Sequence, residues 1–324
     1  MDVSVIIASG RKDAAETIDS LLNRKCDASF EIILAHDASN PPGKKIDGVR
    51  YIECDTTNPA RKRNAAAAVA RGEVLAFIDD DATAPPDWLE RGLETLREHP
   101  YTAGCGGPNL PPEDQNDAEK ITDAVLSSKL GSGSGSYAGG GEIHVARVGE
   151  IHLVNFFIKK NVFETTGGLN ETLGYGSEDS EFIYVCRRLS GADFIFDPAL
   201  KVIHRRRSFG KDFFSQRFKL RRQNGRLLWT RPGMYVTKKR SLFLAALAII
   251  LVAGVSYPIF WLGGVIGYLV LLARGAKSVG NGGGLRWVAA VASLHAVSAA
   301  GILSGLADIP TRDKYSGLLR RPGR

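Results

Sequence analysis

"VLAFIDDD", residues 74–81, runs five apolar residues straight into three carboxylates. A short continuous apolar run of this kind reads as a strand buried on both faces, as in parallel sheets covered by helices. The acidic half then falls at the carboxyl end of that strand, where open α/β sheets take their ligands. Working outward, Val3–Ala8, Phe30–Ala35 and Val49–Glu53 predict three further strands, and Ala60–Arg71 and Trp88–His99 predict helices, as does the pattern of Ala14, Ile18, Leu21 and Leu22. Downstream, strands are expected over Ile151–Ile158, Phe194–Phe196 and Lys201–Ile203, and "GYGSEDSEF" (174–182) opens another helix. Strands alternating with helices predict an α/β domain on a mostly parallel, doubly wound sheet.

The chain has 324 residues, more than one core usually serves, so a second part is expected. A mean hydropathy of -0.09 conceals it. Residues 1–240 are mixed, whereas 242–309 are dominated by Leu, Ala, Val, Ile and Gly. Neither Leu242–Ala273 nor Trp287–Ala307 contains Asp, Glu, Lys or Arg. Uncharged apolar runs beyond ~18 residues read as membrane spans. The first is long enough for a tilted helix or for a hairpin turning near Ser256-Tyr257-Pro258. Two or three spanning segments are therefore expected over 241–309, a multi-pass C-terminal α-helical transmembrane region, with a basic tail at 310–324.

The net charge of +7 and pI of about 9.2 concentrate before the first apolar run, where Arg217, Arg221, Arg222, Arg226 and Lys238–Arg240 crowd together. Juxtamembrane basic clusters meet anionic headgroups and mark the cytoplasmic side of the plasma membrane. No nucleic-acid reader motif accompanies the charge, so nucleic acid is not an expected partner. Segment 208–240 interleaves Phe213, Phe214, Phe218 and Trp229 with its cations, which suits a helix lying in the interfacial plane. Cys26, Cys54, Cys105 and Cys186 show no C-x-x-C spacing, which fits a reducing compartment and argues against zinc. The N-terminal stretch lacks the basic n-region of a signal peptide, so the first 240 residues are expected to stay cytosolic. "GSGSGSYAGGG" (131–141) is loop by composition, either a lid or acceptor loop or a passive linker.

Strand alternation would place Asp79 and Asp81 on one side of the strand end. Like charges that close repel unless a cation intervenes, and Mg²⁺ or Mn²⁺ shared with substrate phosphates is the economical answer. Glu178-Asp179 combines a helix start, where acids favour the macrodipole, with a second acidic pair. His204 ends the last short strand, where a structural role and a ligand role are both open.

At this point "VSVIIAS", "FEIILAHDAS", "ARKRNAAAAVARGEVLAFIDDDA", "VFETTGGLNETLGYGSEDSEF" and "FDPALKVIHRRR" follow one another in an order that resembles family 2 glycosyltransferases with the GT-A fold. The likeness covers roughly residues 3–230. "GGPNLPPED" (106–114), "AVLSSKLGSGSG" (124–135) and "LHAVSAAGILSGL" (294–306) further resemble a membrane-anchored subgroup that includes succinoglycan and other exopolysaccharide glucosyltransferases.

The resemblance implies a GT-A domain over 1–230 and a nucleotide-sugar pocket formed by Ala8, Ser9, Asp37, Arg63, Asn64, Asp79 and Asp80. It implies a metal on Asp79, Asp81 and His204, and Asp179 as general base with Glu178 beside it. Asp37 would meet the donor base, usually uracil; His36 departs from the Asp that the family commonly has there. Arg221, Arg222, Gln223 and Arg226 are expected at the diphosphate of a lipid-linked, polyprenyl acceptor, or else as a plain anchoring surface. The implied reaction is an inverting, metal-dependent displacement on a UDP-sugar at the cytosolic membrane face, in exopolysaccharide or glycan assembly. Polyprenyl phosphate itself is the alternative acceptor. A nucleotidylyltransferase needs a glycine-rich basic loop after the first strand, which "ASGRKDAAETI" matches poorly, and a non-catalytic scaffold would be expected to lose its acidic ligands.

Overall fold

The strands, numbered along the chain, are β1 (Val3–Ala8), β2 (Phe30–Asp37), β3 (Val49–Cys54), β4 (Val74–Asp79), β5 (Ala82–Thr83), β6 (Gly104–Gly106), β7 (Asn109–Leu110), β8 (His144–Val145), β9 (Asn155–Lys159), β10 (Phe194–Phe196) and β11 (Val202–His204). The computed structural model describes residues 1–10, 13–131, 135–173, 176–235, 257, 259–279, 284–308 and 314–319. It resolves into two units. One comprises Met1–Gln115, Ser134–Arg206 and Thr311–Arg324; the other comprises Asn116–Gly133 and Arg207–Pro310.

In the first unit an 8-stranded sheet has the order β3-β2-β1-β4-β9-β6-β10-β8, and a 3-stranded sheet has the order β5-β11-β7. β3, β2, β1 and β4 are parallel, while β9 runs antiparallel to both β4 and β6. The period of two along β1 sorts its side chains onto two cores. Val3, Val5 and Ile7 face Ile18, Trp88 and Leu89, whereas Ile6 faces Ala60, Ala66, Phe163 and Phe182. Helices Ala15–Leu22 and Trp88–Glu98 thus cover one face, and Pro59–Val69, Lys160–Thr166 and Glu178–Ser190 cover the other. Each fully buried Val, Ile or Phe contributes about 1.5–3 kcal/mol relative to exposure. Gly92 lets the Trp88 helix lie against the sheet, since a Cβ there would stand 2.4 Å from the Phe157 ring.

Two departures from the sequence reading have clear causes. The apolar run from Ile151 is strand only over Asn155–Lys159, because only those residues find β4 and β6 as ladder partners. Ile151, Leu153 and Val154 are instead buried in a turn, so the run reports burial and not extension. Secondly, 131–141 is not a passive linker over its described part. Gly135–Tyr137 forms a 3-10 turn, and the buried Ser136 hydroxyl donates to the carbonyl of Glu150; residues 132–134 lie outside the described residues.

The second unit is helical. Helix Lys211–Thr230 packs on helix Leu285–Ala307 through Gly225, Gly301 and Gly305. A Cβ at Gly305 would lie 2.0 Å from the Arg222 carbonyl oxygen, so the backbones meet with no room for a side chain. This is the small-x-x-x-small contact common between apolar helices. Among the described residues, one helix, Leu285–Ala307, is long and apolar enough to cross a membrane, with 23 residues and a mean hydropathy of 1.6 over its most apolar window. Helix Ile259–Ser278 exposes Trp261, Leu262, Val265, Ile266 and Leu269. The expected turn at 256–258 and the start of the first apolar run lie outside the described residues, apart from Tyr257.

Candidate active site

Register brings the site together. Ala8, the last residue of β1, stands beside Ala35 of β2 on one side and Asp79 of β4 on the other. Asp37 follows two residues beyond Ala35, at the end of β2. In the small sheet, β11 pairs antiparallel with β5 so that His204 lies opposite Ala82, next to Asp81. Three chain segments far apart in sequence thereby deliver acidic groups and an imidazole to one sheet edge.

The cations opposite these acids come from helix Pro59–Val69. Its start is fixed by Asn58, whose side chain accepts from the backbone N–H of Ala60 and Arg61, with Pro59 in the first turn. Lys62 and Arg63 are both buried. The Lys62 Nζ donates to the Asp37 carboxylate and, at 2.6 Å, to the Ser9 carbonyl. Asp37 is held below the ordinary carboxylate range, first by that hydrogen bond and then by one from the Ser39 hydroxyl. Arg63 forks between Asp79 at 2.6 Å and Glu178 at 3.3 Å.

Asp80 turns the other way and accepts from the Gly10 N–H at 2.6 Å. Burial, reinforced by the charges of Asp81 and Asp79, pushes it up to about 6. Strand geometry ends at Asp79, so the convergence of Asp79 and Asp81 is made by the following turn and not by alternation along β4.

Asp79, Asp81 and His204 each turn one ligand atom inward, and those atoms lie within 4.8 Å of one another. His204 Nε2 and Asp81 Oδ1 are 3.0 Å apart. Burial alone would lower the histidine pKa, but the hydrogen bond and the charges of Asp81 and Asp79 raise it. Carboxylate oxygens with one imidazole suit a cation of the Mg²⁺ or Mn²⁺ kind, so the donor set fits.

On the far side of Arg63, Glu178 and Asp179 begin helix Glu178–Ser190, and Ser177 before them takes a left-handed φ of 69°, uncommon for a residue with a Cβ. Asp179 Oδ2 meets His152 Nδ1 at 3.0 Å, and its Oδ1 accepts from the Ser180 N–H at 2.6 Å. Burial would raise the Asp179 pKa, yet the hydrogen bond and charge of His152 and the Ser180 bonds outweigh it and hold the carboxyl low. Glu178 moves oppositely, up to about 7, through burial and the neighbouring charge of Asp179. The His152 ring lies 5.5 Å from the Tyr137 ring, and the Arg206 guanidinium lies over that same Tyr137 ring, 4.9 Å from its centroid.

His152 and Lys62 were not among the residues singled out from sequence. Replacing His152 with Ala is expected to raise the Asp179 pKa, read from the pH titration of its carboxyl NMR signal, because Asp179 loses the partner that favours its ionised form. An unmoved titration in the folded variant would show that His152 does not hold the Asp179 carboxyl low.

Asn64 is placed differently from Arg63. Its amide donates to the Leu169 carbonyl and to Glu171, and its oxygen accepts the Leu169 N–H, so it bolts the 168–171 turn to the helix. Arg221, Arg222, Gln223 and Arg226 lie on helix Lys211–Thr230 of the second unit. There Arg222 and Arg226 pair with Asp308 at 3.0 and 3.4 Å, and Arg226 donates to Gln223.

A mostly parallel sheet with an Asp-x-Asp at the end of β4 is the architecture of GT-A glycosyltransferases. Residues 4–149 of the chain match the domain Glycosyl transferase family 2. In fold it is similar to a mannosyltransferase from Pyrobaculum calidifontis solved with GDP-Man and Mn²⁺: the TM-score is 0.58 at 16% identity, over 93% of this chain and 86% of that one. In sequence it is 23% identical over 235 residues to a glucosyl-dolichyl phosphate glucuronosyltransferase of Haloferax volcanii, covering 66% of this chain and 72% of the relative. It is 33% identical over 118 residues to the succinoglycan biosynthesis protein ExoM of Rhizobium meliloti, covering 31% of this chain and 38% of the relative.

Proposed function

We propose that this chain transfers a sugar, with inversion, from a nucleoside diphosphate donor to a lipid-linked saccharide at the cytosolic face of a membrane. The observation that carries the proposal is Arg63, which joins the acids at the end of β4 to Glu178 beside Asp179. One cation thus links the proposed diphosphate-binding cluster to Glu178, the neighbour of the Asp179 carboxylate that His152 holds low. The acceptor class is supported by the relatives, one named for glucosyl-dolichyl phosphate, a lipid-linked saccharide, and one for succinoglycan biosynthesis.

In this reading Asp37, held by Lys62, faces the nucleoside, and Arg63 faces the diphosphate. Asp79, Asp81 and His204 would hold the divalent ion, which when bound offsets negative charge on the departing diphosphate. The acceptor hydroxyl attacks the anomeric carbon from the face away from the leaving group, and its proton passes to the Asp179 carboxylate. The bond from that carbon to the diphosphate oxygen breaks as the new glycosidic bond forms.

The test uses the detergent-purified chain with UDP- and GDP-sugars, offered either a polyprenyl diphosphate-linked saccharide or polyprenyl phosphate. Turnover is expected with the linked saccharide, to be abolished by EDTA, restored by Mg²⁺ or Mn²⁺, and reduced by at least about 10²-fold in Asp81→Ala. Turnover on polyprenyl phosphate alone would reassign the acceptor. Rates indifferent to EDTA and to Asp81→Ala would overturn the metal site.

A further inference from the structure

The segment at 314–319, read from sequence as part of a basic tail, is seated in the sheet-bearing unit. Tyr315 has 0% exposure, and its hydroxyl donates to the Gly168 carbonyl at 2.5 Å. Lys314 Nζ donates to the Leu169 carbonyl at 2.6 Å, close enough to Glu171 and Glu181 to feel their charge. The Leu169 carbonyl also accepts from Asn64 at 2.9 Å, and the Leu169 N–H donates back to Asn64 at 2.8 Å. Asn58, which caps the same helix, donates to the Glu171 carbonyl at 2.8 Å.

The 168–171 turn is therefore clamped. On one side are Asn58 and Asn64 of the helix that carries Lys62 and Arg63, and on the other are Lys314 and Tyr315. Gly168 has a φ of +71°, and a Cβ there would lie 2.7 Å from the Asn64 oxygen. The turn has no slack on the helix side, so a shift on the Tyr315 side is passed on to the helix.

We propose that Lys314 and Tyr315 are positioning residues for Lys62 and Arg63, acting through this turn, and that residues 314–319 occupy the same membrane face as the rest of the sheet-bearing unit. The first half rests on the function proposed above; the second does not. Its logic is compartmental. A side chain enclosed in a folded unit shares that unit's aqueous side, and each membrane crossing reverses the side. Between 235 and 314 the chain must then cross an even number of times or not at all. If Leu285–Ala307 crosses, a second crossing precedes it, and helix Ile259–Ser278, with its exposed apolar side chains, is the described segment that suits this role. A single crossing, which the one qualifying helix among the described residues would suggest, does not fit the enclosure of Tyr315 in the sheet-bearing unit.

Two measurements on the full chain decide this. In closed membrane vesicles of known orientation, a protease site fused beyond Arg324 and one fused before Met1 are expected to be cut from the same face. Cutting from opposite faces overturns the placement. For positioning, Tyr315→Phe keeps the ring and removes the hydroxyl, while Tyr315→Ala removes both. In variants shown to be folded by their melting temperature, kcat is expected to fall about 3- to 10-fold for Phe and about 10²-fold for Ala, with the acceptor KM unchanged. Folded variants with wild-type kcat and donor KM overturn the positioning role and leave the function standing. Wild-type protein that transfers no sugar defeats the function and with it the positioning role, and the vesicle result then stands by itself.

Discussion

Replacing Asp179 with Asn is expected to lower kcat by about 10²–10⁴-fold, the usual contribution of a positioned general base, with donor KM nearly unchanged. Asn keeps the shape, and its carbonyl oxygen can still accept from the His152 Nδ1 that now sits 3.0 Å from Oδ2, so the variant should fold. A loss confined to kcat is the signature of an interaction made in the transition state. Unchanged turnover would remove Asp179 from the chemistry.

The neighbouring Glu178 sharpens the experiment. Its carboxyl is pushed up to about 7, first by burial and then by the charge of Asp179. A folded-state pKa above the unfolded value stabilises the fold below about 4.5, and that contribution is lost as pH rises through about 7. Under the proposed function, Glu178 once ionised competes with the donor diphosphate for Arg63. Donor KM is therefore expected to rise above pH 7 in the wild-type protein and to stay level in Glu178→Gln.

The parts of the site that sequence revealed are those where local chemistry and position coincide. Continuous apolar runs ending in acid marked β2 and β4, because strands buried on both faces need no polar alternation. Asp37 and Asp79 fall where those runs stop, so register alone carried them to Ala8. Strands of two or three residues, such as β5 and β7, have no period to detect. Helix Asp117–Leu126 carries a full capping box at Asn116 and Glu119, a local signal that marks a helix start but says nothing of the site.

Lys62 was harder to assign. A lysine beside an arginine in an alanine-rich helix reads as a solvated face, and only the packing of that helix on β1 and β2, where the Asp37 carboxylate and the Ser9 carbonyl receive the ammonium, buries it at 1% exposure. Contacts between distant segments were out of reach altogether. Glu178 lies 115 positions from Arg63, and nothing local to either residue announces the other. The same holds for His152, whose stretch "EIHLV" advertises a strand and delivers a turn.

Arg63→Met is expected to be the most damaging single change to the fold of the sheet-bearing unit. The guanidinium is buried and lies between two carboxylates, at 2.6 Å from Asp79 and 3.3 Å from Glu178. Removing one partner of such a group leaves uncompensated buried charge, which costs about 3–5 kcal/mol. Against a total stability of about 5–15 kcal/mol this is a large fraction. The penalty depends on ionisation, and its sign follows. Without the cation, Glu178 loses the interaction that now lowers its pKa, so its folded value moves further above the unfolded one. The variant can relieve the strain by taking up a proton, which it does readily at low pH and not at high pH. The difference in melting temperature between wild type and Arg63→Met should therefore be small near pH 5 and widen steadily toward pH 8. Arg63→Lys should recover part of the stability and little of the activity, because a single ammonium cannot reproduce the fork that reaches both acids. A melting difference independent of pH, or a lysine variant with full activity, would show that Arg63 does not serve as the bridge between the two acidic clusters.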